Sequence, residues 1–177
     1  RTRATYDHSH LTRLRLIRAL LEVGGVSLAT AKSVIDVVHA GADDSDDIVR
    51  NAIHALGPDA PGPADDAFHE ARADVEALLG TMGWQVDLQA PAVDMLAASL
   101  RALRATYGPV PAEAVAKDAA AAHAVATTEF SVRPPTDDPA TLVEWAVTGT
   151  VAFEQALIAW RRLAHEDLAA RHRMQKG

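Results

Sequence analysis

Between residues 57 and 63 the chain reads Gly57-Pro58-Asp59-Ala60-Pro61-Gly62-Pro63, and no helix or strand can run through it. Its prolines remove backbone donors and fix φ, so regular structure must stop and restart there. On both sides of this break, apolar residues recur at three- and four-residue spacing, the period of one helix face. Nowhere do β-branched residues alternate with polar ones as a half-buried strand requires. Aromatic residues make up 5% of a chain that is 49% hydrophobic, and alanine, the strongest helix former, does much of the apolar work. The expected fold class is all-α. Residues 1–57 form a helix pair with a short third helix, residues 58–64 a linker, and residues 65–177 a helical bundle.

The stripes give the elements. Leu11, Leu14, Ile17, Leu20 and Leu21 mark a first helix capped by Asp7 or Ser9 and ended by Gly24-Gly25. Ser27 caps a second, with Leu28, Ala31, Val34, Ile35 and Val38 apolar, stopping near Gly41. Two short helices joined this closely must cross and share a small core, since neither is stable alone. The acidic run Asp43 to Asp47 reads as a solvated helix start, where carboxylates favour the positive end of the dipole. It lacks the central glycine and closing glutamate of a calcium loop. A helix with Ile48, Val49, Ile53 and Leu56 follows. Past the linker, one stripe runs Phe68, Ala71, Val75, Leu78, Leu79, Met82, and another, begun at Pro91, runs Val93, Leu96, Ala97, Leu100, Leu103. An alanine-rich helix spans residues 112–130, and a long last helix runs from about 140 to 171.

The formal net charge of −7 is unevenly placed. Residues 1–23 hold five arginines against two acids, and residues 161–177 hold five basic residues against two acids. A basic end on an acidic body permits local contact with phosphates while the rest stays soluble. The chain has no cysteine, which excludes disulfides, thiolate metal sites and iron–sulfur clusters and fits the cytoplasm. No apolar run reaches the roughly 18 residues of a membrane span, and no signal peptide is recognisable, so no membrane association is expected. The chain begins at Arg1 rather than methionine, so a preceding segment is expected.

From Thr5-Tyr6-Asp7-His8-Ser9-His10-Leu11, through Leu14-Arg15-Leu16-Ile17-Arg18, to Gly24-Gly25-Val26-Ser27-Leu28 and Ile35, the sequence resembles the MerR family of transcriptional regulators. The matching elements are a tyrosine before a capped helix, a leucine–x–x–isoleucine core, and a glycine turn followed by Ser-Leu. The resemblance covers residues 1–38. It implies that these helices form a second wing on double-stranded promoter DNA, behind a winged helix-turn-helix expected upstream of Arg1. It carries Arg1, Arg3 and Tyr6 over as DNA-binding residues, making phosphate contacts that position a protein without reading sequence. Arg3 stands three residues before Tyr6, where the family places an arginine two before. Tyr6 can alternatively staple onto the first helix. The resemblance also implies a homodimer. The family's long dimer helix corresponds to residues 46–56, which are few, so the C-terminal helices are the alternative dimer surface.

The remaining body suggests an all-helical effector or dimerisation domain. Without cysteines it does not suit thiolate metal sensing, and without strands it does not suit a GyrI-like drug-binding domain. A small-molecule effector would need an aromatic and apolar pocket, for which Trp84, Tyr107, Trp145, Phe153 and Trp160 are candidates, with Glu129, Glu144 and Glu154 as polar handles. The plainer reading is that aromatics at helical spacing are core. No H-E-x-x-H, nucleophile elbow, P-loop or dinucleotide glycine pattern occurs. No enzyme activity, no cofactor and no metal site is therefore expected, and the eight histidines read as surface or capping residues. The rival reading is a helical protein–protein interaction module that does not bind DNA.

Overall fold

The computed structural model describes residues 14, 17–23, 26–40, 45–57, 62, 65–136 and 138–176. Among them every regular element is helical, as the apolar spacing requires. A π-helical turn at Ala19–Val23 is followed by α1 (Leu28–Ala40), α2 (Ser45–Leu56), α3 (Asp66–Met82), α4 (Pro91–Tyr107), α5 (Ala112–Phe130) and α6 (Pro139–Met174). Two compact units result: residues 1–53 with 133–177, and residues 54–132.

In the first unit, the opening half of α6 is the central element. Leu142, Val143, Ala146, Val147 and Val151 are buried along one face, and this helix packs against the π-helical turn, which also meets α1. Leu20 in the turn and Ala31, Val34 and Ile35 on α1 complete the apolar set. Ser27 caps α1, its Oγ accepting the Thr30 N–H at 3.0 Å. Asp138 caps α6 by accepting the Thr141 N–H at 2.9 Å. Arg133 donates to Asp46 at 2.9 Å, tying the segment before α6 to the start of α2.

In the second unit, α3 and α4 form a helical hairpin. Phe68, Ala71, Val75 and Leu79 on α3 pack against Val93, Ala97, Ala98 and Leu100 on α4. Small residues at 71, 97 and 98 let the two backbones approach closely. Asp65 starts α3 by accepting the Phe68 N–H at 2.8 Å. Pro91 starts α4, where its missing N–H leaves no bond unmade. The eight residues between the helices are held by Arg72, whose guanidinium donates to the Leu88 carbonyl at 2.7 Å, to Asp94 at 2.7 Å and to Glu76. Hydrogen bonding to Asp94, with attraction to Glu76 and Asp94, raises the pKa of Arg72 against the opposing effect of burial. By contrast α5 contains no buried residue. Its inward positions are mostly alanines, which cover little surface.

Candidate functional site

The thin packing of α5 leaves a cavity of about 320 Å³ in the second unit. Its walls come from the apolar stripes read above: Val75, Leu78, Leu79 and Met82 from α3, and Leu96, Leu100 and Leu103 from α4. The third wall is the α5 face made of Ala114, Val115, Asp118, Ala119 and Ala122, positions one and two turns apart. Only two lining residues outside the aromatic one carry polar side-chain groups. The Ser99 hydroxyl donates to the Met95 carbonyl at 2.9 Å within its own helix. That leaves the Asp118 carboxylate as the charged group of the lining.

Trp84 reaches this cavity because of the residue before it. Gly83 ends α3 with φ of 69°, a left-handed conformation that a side chain would strain. The reversed chain then lets the Trp84 N–H donate to the Leu79 carbonyl at 3.2 Å. The indole lies half-buried at the edge of the cavity, its ring centroid 5.3 Å from that of His123 on α5. A more open hollow, also bordered by Met82 and Trp84, includes Gln85, Ala120 and His123.

The five aromatic candidates are thus separated. Trp84 lines the cavity, whereas Tyr107, at the end of α4, is 80% exposed and does not. Trp145, half-buried, and Phe153 and Trp160, both exposed, belong to α6 in the other unit. Glu129, Glu144 and Glu154 are not among the lining residues. Asp118 was missed because it stands alone in an alanine-rich stretch. The available signal was its sharing of a helix face with Val115, Ala119 and Ala122.

Beyond Val151 every α6 side chain from Phe153 to Ala169 is exposed. Phe153, Leu157, Trp160, Ala164 and Leu168 recur there at spacings of four, three, four and four, giving one apolar stripe. Arg162, Glu166 and Arg173 lie on the opposite face. Arg1, Arg3 and Tyr6 fall outside the described residues, as do Arg13 and Arg15. Arg18, at their edge, pairs with Glu22 at 2.7 Å on an exposed surface. Among the described residues no group of three or more metal-ligating side chains is assembled, and no helix is long and apolar enough to cross a membrane.

Comparison with known proteins adds three findings. Residues 1–37 match the model of the MerR HTH family regulatory proteins. The chain is similar to the crystal structure of a candidate transcriptional regulator from Streptomyces coelicolor A3(2), with 34% sequence identity and a TM-score of 0.79. That similarity covers 96% of this chain and 84% of the other. No curated protein matches by sequence.

Proposed function

From the premise that this chain belongs to the MerR family of helix-turn-helix regulatory proteins, we propose that it is a homodimeric transcriptional regulator that binds double-stranded promoter DNA through its N-terminal segment and carries an all-helical effector domain. Regulation of transcription is the family's role. The DNA contact, the dimer and the effector are our reading. The observation that carries it is the match at residues 1–37, which coincides with the arginine-rich end of an otherwise acidic chain.

On this reading Arg1, Arg3 and Tyr6 touch phosphates and fix the register of the protein on the duplex. The second copy docks on the exposed apolar stripe of α6, since α2 at 12 residues offers little length for the antiparallel pairing its family uses. A dimer presents two DNA-binding ends to two half-sites, so the operator is pseudo-palindromic. The protein acts in the cytoplasm and catalyses no reaction. A signal held in the helical body would act by favouring one arrangement of the paired DNA-binding ends over another.

Fluorescence anisotropy with promoter DNA across a salt series tests this. Binding should weaken steeply with salt, and replacing Arg1 and Arg3 by alanine should lower the logarithmic salt slope by about 2 per protomer, near one per lost phosphate contact. Binding that ignores both salt and these substitutions would favour the interaction-module reading.

A further inference from the structure

We propose that the cavity between α3, α4 and α5 binds a small lipophilic cation, an organic amine whose apolar body fills the space and whose ammonium group pairs with Asp118. The proposal deepens the regulator reading by giving the effector a chemical class. It rests on that reading for the consequence of binding, though not for the binding itself.

The cavity has the size of a ligand site. Interiors pack as densely as organic crystals and leave few voids larger than a water molecule, whereas 320 Å³ falls within the range of small-molecule sites, roughly 300–1,000 Å³. The space also leaves apolar walls wet. Leu96 and Leu103 lie on the same α4 stripe as buried Leu100, yet they are 42% and 45% exposed. Facing them across the cavity, α5 offers mainly the small side chains of Ala114, Ala119 and Ala122. Apolar surface left wet in a concave site is unfavourable, and an apolar ligand that covers it recovers that free energy.

Charge selects the ligand. Residues 54–132 contain four basic and eleven acidic residues, and all four basic ones are already committed. Arg72 pairs with Asp94 and Glu76, Arg101 with Asp65, Arg104 with Asp74, and Lys117 with Glu113. None of the ion pairs among the described residues uses Asp118. An anionic ligand would meet that carboxylate in an acidic unit with no cation to spare, and a neutral one would gain only the apolar term. A cation gains both. A ligand so placed touches three helices and ties α5, which has no buried residue of its own, to the α3–α4 hairpin. That is the local change a regulator could transmit.

Titration calorimetry of the full chain with three naphthalenes of different charge tests this: 2-naphthylmethylammonium, 2-naphthylmethanol and 2-naphthoate. The ammonium should bind most tightly, the alcohol about fivefold more weakly, as suits a partly exposed ion pair, and the carboxylate weakest. Asp118→Asn should bring the ammonium to the alcohol's affinity and leave the alcohol unchanged. Ala119→Leu, which puts a branched side chain into the cavity from α5, should weaken binding of both. Equal affinity for ammonium and carboxylate, an unaltered ammonium affinity in D118N, or no binding at 1 mM would overturn the proposal. Anisotropy with promoter DNA on the same preparations separates the two readings. DNA binding without amine binding removes this site alone, and amine binding without DNA binding removes the regulator reading alone.

Discussion

Replacing Arg72 by methionine should release the connection between α3 and α4 while keeping most of the apolar stem in place. The guanidinium serves three acceptors on three stretches of chain: Glu76 on its own helix, the Leu88 carbonyl in the connection, and Asp94 on α4. The carbonyl bond is worth about 1 kcal/mol net. The two ion pairs involve carboxylates about a third or more exposed, so each is discounted to about 0.5 kcal/mol. The expected loss is therefore about 2 kcal/mol. Urea titration would read it, followed by the fluorescence of Trp84 with Trp145 and Trp160 replaced by phenylalanine, so that the signal reports on the unit containing Arg72. In 1 M salt, where the Debye length falls to about 3 Å, these part-exposed pairs weaken, and the difference should shrink from about 2 towards about 1 kcal/mol, the share of the carbonyl bond. A loss under about 0.5 kcal/mol, or a loss unchanged by salt, would refute the assignment of these energies to Arg72.

Three other outcomes follow from the same geometry. Gly149 lies inside α6, and a Cβ there would meet only the Phe153 ring at an ordinary 3.8 Å, so Gly149→Ala should stabilise the helix by about 0.5–1 kcal/mol and raise the melting temperature by a few degrees. The pKa of Asp65 is lowered chiefly by the Phe68 N–H it accepts and, less, by Arg101; its contribution is present above the ordinary carboxylate range and is lost as pH falls through the depressed value. Asp65→Asn, which keeps a capping oxygen, should therefore flatten the acid limb of a stability-versus-pH curve, and an unchanged limb would count against the cap. Trp160→Ser with Leu168→Ser should shift a dimer to monomer in sedimentation without a loss of helicity, because both side chains are more than 60% exposed and support no core.

Much of the fold was legible because apolar spacing and chain breakers are local properties. Ser27 and Pro91 place helix starts within a residue or two of those observed. The π-helical turn at Ala19–Val23 was not legible, since an extra residue in a helical ladder leaves the apolar spacing almost unchanged. The two halves of α6 illustrate a different limit. Leu142 and Trp160 sit on equally plausible stripes, yet one is fully buried and the other 70% exposed. A stripe gives the direction in which a helix is apolar and says nothing of whether a partner lies there. Packing of α6 against a turn more than a hundred residues earlier is a tertiary fact with no local trace. The cavity was half legible. Trp84 stood among the aromatic candidates, whereas Leu96, Leu103 and Asp118 become site residues only when three helices meet around a space that alanines leave open.

On the proposed function, this regulator binds a defined DNA site as a dimer. Footprinting the protein, together with any segment that precedes Arg1, on its own promoter DNA tests it most directly. Protection is expected over a pseudo-palindromic site whose half-sites lie about one helical turn or a multiple of it apart, with affinity falling steeply as salt rises. Protection no greater than on random DNA at modest salt would contradict it.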